Sequence, residues 1–153
     1  MKYADFTGKI ILKEKNDMTV FLCTDERGGM IFMNRRVSSD KILTKDIEKT
    51  VGDGILYISD FSEFLFEKSD ISVMSVTNPL DAAEKEDFVF VENLGLKEAV
   101  KKIDRLIIYN WNRKYPFDFS LDINPIEEGF HLSERCEFKG NSHDKITKEI
   151  YEK

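Results

Sequence analysis

Residues 104–122 read DRLIIYNWNRKYPFDFSLD, and this segment gives the clearest indication of both fold and function. It starts with the apolar run Leu106–Ile108, which is typical of a buried strand. It continues as a series of aromatic residues separated by charges. In an extended strand, alternate side chains share one face, which here would carry Tyr109, Trp111, Arg113 and Tyr115. Aromatic residues beside arginine recur in binding hot spots, so the segment predicts a buried strand that continues into a binding surface.

The composition is that of an ordinary globular protein, with 153 residues, 41% apolar and 34% charged. We therefore predict a single α+β domain over residues 1–153. A net charge of −6 disfavours binding of the whole protein to nucleic acid or to an anionic membrane. The polar start Met1–Asp5 predicts no secretory signal, and no apolar run is long enough to span a bilayer, so a cytoplasmic location is expected. Cys23 and Cys136 are predicted to be buried free thiols.

Alternating and continuous apolar patterns predict a sheet of many strands. The expected strands are Phe6–Lys15, Thr19–Thr24, Met30–Arg36, Ile55–Ser59, Phe88–Val91, Leu106–Trp111, Phe117–Ile123 and Gly129–Phe138. Hairpin loops are expected at residues 25–29 and 125–128, because the first contains two glycines and the second begins with a proline. Together they favour a mixed or mainly antiparallel curved sheet covered by two to four helices.

Helical periodicity is strongest over Asp40–Val51, where Leu43, Ile47 and Val51 repeat every four residues. Ser38 or Ser39 is the expected N-cap, and Gly52 or Gly54 the expected stop. Three further helices are predicted: a turn over Asp60–Lys68 with Phe61, Phe64 and Leu65 inward, Leu96–Asp104, and a C-terminal helix from Asn141 or Ser142 containing Ile146 and Ile150.

Residues that carry out catalysis are scarce. The consecutive residues Ser142, His143 and Asp144 are the types of a catalytic triad, but triads converge in space rather than in sequence. We therefore predict that His143 is exposed at a helix cap and that His131 is structural. No P-loop, GxGxxG fingerprint or paired cysteine site occurs, so no catalytic residue, cofactor or metal is predicted. One alternative is a magnesium site made by Asp118 and Asp122 with Glu134 or Glu137.

Charge is distributed unevenly along the chain. The second half is rich in acids, among them Asp118, Asp122, Glu127 and Glu128. An acidic face of this kind docks a basic partner rapidly by electrostatic steering, although solvated loops would look the same. The pair Arg35-Arg36 has two interpretations, binding of a phosphate or pairing with acids of the same chain.

Three blocks carry a resemblance to a known family: GGMIFMNRR at 28–36 with SSD at 38–40, IIYNWNRKYP at 107–116, and GNSHDKITKEIY at 140–151. They resemble immunity proteins of bacterial contact-dependent growth-inhibition toxins. The resemblance implies an inhibitor that binds a toxin domain, often a nuclease, about one to one and covers its active site. It assigns no individual residue.

Together with the charge pattern, this resemblance predicts a non-enzymatic inhibitor of a basic nuclease toxin. From the residues themselves, the expected partner-binding set is Asp118, Asp122, Glu127, Glu128, Trp111, Arg113 and Tyr115. Two alternatives stay open: a metal-dependent nucleic-acid-processing enzyme using Asp118, Asp122 and Glu134, and a module in which Tyr109, Trp111 and Arg113 stack on a base or another planar ligand.

Overall fold

The computed structural model describes residues 18–153, and a seven-stranded mixed sheet forms its centre. The strands are β1 (Thr19–Thr24), β2 (Gly29–Phe32), β3 (Arg35–Arg36), β4 (Ile55–Ile58), β5 (Ser72–Ser75), β6 (Phe88–Phe90), β7 (Arg105–Asn110), β8 (Phe119–Ser120), β9 (His131–Phe138) and β10 (Ile146–Glu152). The helices are α1 (Lys41–Val51), α2 (Glu63–Phe66) and α3 (Pro79–Ala82), with 3₁₀ turns at Asp60–Ser62 and Val100–Lys102. The predicted α+β class with a mixed sheet is confirmed.

The order of the large sheet is β5-β4-β6-β1-β7-β10-β9. The first five strands run parallel, and β10 and β9 complete the sheet in antiparallel pairs. In the centre, Val20 of β1 lies opposite Val89 of β6 and Leu106 of β7, and all three side chains are fully buried. Strands buried on both faces are typical of parallel sheets, which explains their continuous apolar runs.

Helix α1 covers one face of this sheet, as its periodicity predicts. Leu43, Ile47 and Val51 are buried in the same apolar cluster as Phe21 of β1 and Ile107 of β7. The predicted end at Gly52 is confirmed, since this residue caps the helix with a φ of 55°. The helix starts one residue later than predicted, because Asp40 rather than Ser38 or Ser39 is its N-cap.

Two predicted helices are wrong. The C-terminal segment is strand β10, which pairs with β7 and β9. Ile146 and Ile150 lie four residues apart, a spacing that fits a strand face as well as a helix face, and two partner strands decide between them. Leu96–Asp104 contains only the single turn Val100–Lys102, although Leu96, Val100 and Ile103 are buried as the pattern requires. Nine residues are too few for a stable helix without strong tertiary support.

Several strand connections also differ from the prediction. The expected strand Met30–Arg36 is interrupted at Met33 and Asn34, which take positive φ, and β2 forms a separate sheet with β3 and β8. Neither predicted hairpin forms, because β1 pairs in parallel with β6 and β7, and β9 pairs with β10. Phe64 is 72% exposed, contrary to its predicted inward position.

The predicted strand Phe6–Lys15 lies outside the described residues. Within residues 18–153, no helix combines the length and the apolar character that crossing a membrane requires.

Candidate functional site

A cluster of buried polar side chains lies where the carboxyl ends of β1, β6 and β7 meet the start of α1. The carboxyl ends of parallel strands are the usual place for ligands in open sheets of this kind. A small internal cavity, here called the inner cavity, lies at this point. Its wall includes Cys23 of β1, Glu92 just after β6, Trp111 just after β7, and Ser38 and Asp40 before α1.

Asp40 organises this cluster. Its carboxylate accepts hydrogen bonds from the backbone amides of Ile42 at 2.9 Å, Asn141 at 2.9 Å and Ser142 at 2.8 Å. Asp40 therefore caps α1 and also links the turn before β10 to the start of this helix. Burial alone would raise the pKa of Asp40, but the amides of Asn141 and Ser142, together with His143, outweigh burial and hold that pKa well below its usual range. Asp40 is consequently a carboxylate at neutral pH.

His143 is held on both ring nitrogens. Its Nδ1 lies 2.9 Å from a carboxylate oxygen of Asp40, and its Nε2 lies 2.8 Å from the hydroxyl of Ser38 and 3.4 Å from that of Tyr115. A carboxylate only accepts hydrogen bonds, so Nδ1 carries a hydrogen, and Nε2 can accept the hydrogen of the Ser38 hydroxyl. The imidazole is 4% exposed and stacks on Trp111, with ring centroids 4.4 Å apart. The predicted exposed position of His143 at a helix cap is therefore wrong.

Trp111 leaves one polar group without a partner. Its indole Nε1 is buried and has no hydrogen-bond acceptor within the described part of the chain. The inner cavity that it lines has a volume of about 20 Å³, enough for a single water molecule. A buried donor without an acceptor is costly, and it is commonly explained by a water or ligand that binds there.

A larger opening, here called the hairpin groove, lies outside the inner cavity. It has a volume of about 500 Å³ and is lined by Phe32, Met33, Arg35, Arg36, Val37, Tyr115 and Pro116. This volume falls in the range of small-molecule pockets. Arg36 and Val37 line both spaces, so only their side chains and the neighbouring backbone separate the groove from the inner cavity.

The second arginine of the Arg35-Arg36 pair is engaged within the protein. Arg36 forms a bidentate pair with Glu92 at 2.7 and 2.9 Å, and Ser62 donates to the same carboxylate at 2.7 Å. The bond to Glu92 raises the pKa of Arg36. Pairing with an acid of the same chain therefore explains Arg36, whereas the exposed Arg35 faces the hairpin groove.

The structure does not bring the seven predicted partner-binding residues onto one surface. Trp111 is buried and Tyr115 half-buried at the cluster around His143, while Arg113 is exposed and lies against the carbonyl of Ser142. The four acids, Asp118, Asp122, Glu127 and Glu128, are all exposed. The face predicted from alternation is interrupted because β7 ends at Asn110 and Asn112 has a φ of 58°.

Two of these acids have internal roles. Asp118 accepts from the amide of Met33 at 3.1 Å, and Asp122 accepts from the amides of Leu96 at 2.8 Å and Lys97 at 3.2 Å. Across residues 18–153 there is no group of three or more His, Cys, Asp or Glu side chains that could hold a metal ion. The magnesium site considered for Asp118 and Asp122 with Glu134 or Glu137 is therefore not assembled.

Sequence reasoning missed Asp40 and Ser38 as site residues and assigned His143 no role. The available signal was limited to two short polar stretches, SSD at 38–40 and GNSHD at 140–144, each of which also fits an ordinary helix cap. Their juxtaposition depends on β10 being a strand. Cys23 and Cys136 are free, as predicted, but Cys136 is exposed rather than buried.

Comparison with known proteins identifies the fold. No protein-family model and no curated protein matches the chain. Among solved structures, it matches the dihydrofolate reductase of Enterococcus faecalis complexed with NADP(H) and RAB-propyl, with a TM-score of 0.63 and 10% sequence identity. The match covers 90% of this chain and 96% of the reductase. The chain thus has the dihydrofolate reductase fold, and at this identity the likeness establishes the fold alone.

This likeness overturns the main functional prediction. The resemblance to immunity proteins of growth-inhibition toxins was wrong, and with it the prediction of a non-enzymatic inhibitor that binds a toxin nuclease. The matched fold belongs to an enzyme with small-molecule ligands. The error arose because short blocks of sequence were compared without the order of the strands, which here carries the relationship.

Proposed function

We propose that this protein is an enzyme that acts on a small, planar, anionic organic molecule bound in the hairpin groove, with His143 as the residue that transfers a proton. The observation that carries the proposal is the His143 imidazole fixed by the buried carboxylate of Asp40 at the carboxyl end of the central strands. A histidine held in one tautomer is well suited to general acid–base catalysis, and Nε2 of His143 contacts Ser38, which lines the inner cavity, and Tyr115, which lines the hairpin groove. The enzyme fold of the matched reductase supports the same conclusion.

The substrate class follows from the lining of the hairpin groove. Phe32 and Tyr115 offer aromatic faces and Met33 an adaptable apolar contact, while Arg35 supplies an exposed positive charge. Aromatic rings stack on planar ligands, and a guanidinium binds carboxylates with two hydrogen bonds. A flat ring system that carries a carboxylate fits this lining, and dihydrofolate, the substrate in the name of the matched reductase, has that chemistry.

The NADP(H) of the matched reductase fits the described residues less well. Ligands usually bind at the carboxyl ends of parallel strands, but after β6 the amides of Leu96 and Lys97 already donate to the carboxylate of Asp122. A Cβ on Gly95 would lie 2.5 Å from the same carboxylate, so that space is filled. Glu92, a buried acid two residues after β6, is paired with Arg36 and offers a phosphate no donor. We conclude that a dinucleotide does not fit this arrangement, and the proposed proton transfer does not depend on one.

The fluorescence of Trp111 provides a direct test of substrate binding. Trp111 is the only tryptophan of the chain and stacks on His143. Titration with dihydrofolate should change its emission, and Arg35→Gln should weaken that binding. Arg135→Gln is the matched control, because Arg135 is an exposed arginine on β9 outside the groove. No change up to about 1 mM dihydrofolate, a binding free energy of about −4 kcal/mol, would contradict the proposed substrate class.

A second measurement tests the role of His143 and the conclusion on NADP(H). The wild-type protein should hydrolyse an ester of a flat aromatic compound that also carries a free carboxylate, with or without NADPH, because hydrolysis needs only water, and His143→Gln should slow this consumption of the ester by about 100-fold or more. Unchanged consumption by a folded His143→Gln protein would remove His143 from the reaction. Saturable binding of NADPH alone would show that the Asp122 contact opens and that our conclusion on the dinucleotide is wrong.

As for location, the two free thiols fit a reducing compartment such as the cytoplasm.

A further inference from the structure

Ser38, His143 and Asp40 have the connectivity of a nucleophile, a general base and an orienting carboxylate. The Ser38 hydroxyl lies 2.8 Å from Nε2 of His143, and Nδ1 of the same ring lies 2.9 Å from Asp40. This arrangement is recognised by geometry and not by the order of residues in the chain. The sequence offered Ser142 and Asp144 beside His143, whereas the structure selects residues that lie more than 100 positions away.

We propose that Ser38 is an activated nucleophile and that the protein forms a covalent acyl-enzyme with a small ester or thioester, which it then hydrolyses. This inference rests on the proposed function, since it specifies the reaction for which His143 transfers a proton.

Access to Ser38 supports this assignment. Asp40 and His143 are buried, but Ser38 is only half-buried and follows Val37, which lines both the hairpin groove and the inner cavity. Ser38 lines the inner cavity beside Val37, so an acyl group that passes Val37 from the groove would reach the hydroxyl that His143 contacts. Phe32, Met33 and Tyr115 suit an aromatic or apolar acyl group.

Acyl transfer also requires a hydrogen-bond donor for the carbonyl oxygen of the substrate, which becomes negatively charged during the attack. The indole of Trp111 is a candidate for this donor. Trp111 and Ser38 line the same inner cavity, and Trp111 Nε1 has no acceptor within residues 18–153. A fixed donor that is shielded from bulk water stabilises a developing oxyanion much better than water does. Under this proposal, an acyl carbonyl oxygen that takes the place of water in the inner cavity is the acceptor that Trp111 Nε1 lacks.

The proposed reaction proceeds in two steps. Ser38 Oγ attacks the acyl carbon, its hydrogen passes to Nε2 of His143, and the bond from that carbon to the alkoxy oxygen or thiolate sulfur breaks. The departing group takes the hydrogen from His143. A water molecule then attacks the Ser38 ester and gives one hydrogen to His143, which returns it to Ser38 Oγ as the carboxylic acid leaves. The balance is ester plus water giving acid plus alcohol, or thiol, with no other reactant.

Covalent labelling of the full chain tests the proposal. A fluorophosphonate probe should add once to the protein, and peptide mapping should place the adduct on Ser38. Ser38→Ala should abolish labelling, and His143→Gln should slow it by about 100-fold or more. Ser72→Ala is the matched control, because Ser72 is an exposed serine of β5 that lines neither the inner cavity nor the hairpin groove, and its labelling should equal that of the wild type.

The outcomes separate this inference from the proposed function. Circular dichroism establishes that each variant is folded, and mapping of the wild-type adduct needs no variant at all. Absence of labelling, or an adduct on another serine, would show that Ser38 is not a nucleophile. The hydrogen bonds among Ser38, His143 and Asp40 would then serve only to hold the loop before α1 in place. If dihydrofolate still changes Trp111 fluorescence in that case, the groove and its substrate class survive. If Ser38 is labelled but dihydrofolate does not bind, the substrate class fails and the nucleophile stands.

Discussion

Replacing Asp40 with asparagine is the most informative single perturbation of this protein. Asparagine has nearly the same size and is itself a good N-cap, so the start of α1 is kept. The negative charge is lost, however, together with the bonds that Oδ2 accepts from the amide of Ser142 and from Nδ1 of His143, while the amide of Asn141 keeps only an uncharged acceptor. The side-chain NH2 group of the asparagine would also face the amide of Ser142 and Nδ1 of His143, which are themselves hydrogen-bond donors. Hydrogen bonds to a charged group contribute about 1.5–3 kcal/mol each, and because these share one carboxylate we expect a total loss of about 3–5 kcal/mol.

The pH dependence of this loss is a further part of the prediction. The pKa of Asp40 lies well below its usual range when the protein is folded. A depressed pKa stabilises the folded state above the unfolded pKa of about 4, and this stabilisation is lost as the pH falls towards the folded value. The difference between wild type and Asp40→Asn should therefore shrink by about 1 kcal/mol when the pH is lowered from about 5 to about 3.

Urea denaturation at these pH values measures both effects. Asp53→Asn is the matched control, because Asp53 is an exposed aspartate outside the cluster, and it should change the free energy of unfolding by less than about 0.5 kcal/mol. The reasoning is refuted if Asp40→Asn unfolds at the wild-type urea concentration near neutral pH. It is also refuted if the difference between the two proteins is the same at both pH values.

Three further predictions concern the core and the edge of the sheet. Val89→Asp places a charge at a fully buried position in the central strands and should cost several kcal/mol, so a soluble variant with the wild-type melting temperature would contradict the assignment of β6. Tyr109→Phe removes a 2.6 Å hydrogen bond to Asp46 and should cost about 1–2 kcal/mol in thermal unfolding, whereas no change would mean that the bond adds nothing net. Burial and a hydrogen bond to Glu149 raise the pKa of Tyr151 to about 12 in the folded protein. Tyr151 therefore stabilises the fold fully below its unfolded pKa of about 10, and this stabilisation is lost as the pH rises from about 10 to about 12. Alkaline unfolding should accordingly be steeper for wild type than for Tyr151→Phe, and equal slopes would refute this.

The sequence predicted those elements whose apolar residues alone define them. β1, β6 and β7 are continuous apolar runs, and α1 has four-residue periodicity with Gly52 as its stop. In these segments the secondary structure that the local pattern predicts is also the one that buries the apolar side chains in the fold. The predicted fold class was therefore correct. Segments with ambiguous spacing, such as Ile146 to Ile150, were wrong because only the partner strands decide them.

The candidate site was largely beyond prediction. Its three principal side chains come from two loops about 100 positions apart, and each loop by itself has the composition of a helix cap. Trp111 and Tyr115 were singled out from their composition, but as parts of an exposed face. In the structure Trp111 is packed under His143 instead. Long-range pairing between strands, and not local chemistry, brings these groups together.

The bond between Asp40 and the turn before β10 also has a consequence for synthesis of the protein. A chain that grows from its N-terminus exposes Asp40 about 100 residues before the amides of Asn141 and Ser142 that will satisfy it. A nascent or truncated chain that ends before Asn141 therefore holds an aspartate at the start of α1 without these partners. We expect such a product to be less stable than the full chain and therefore to be degraded faster in the cell.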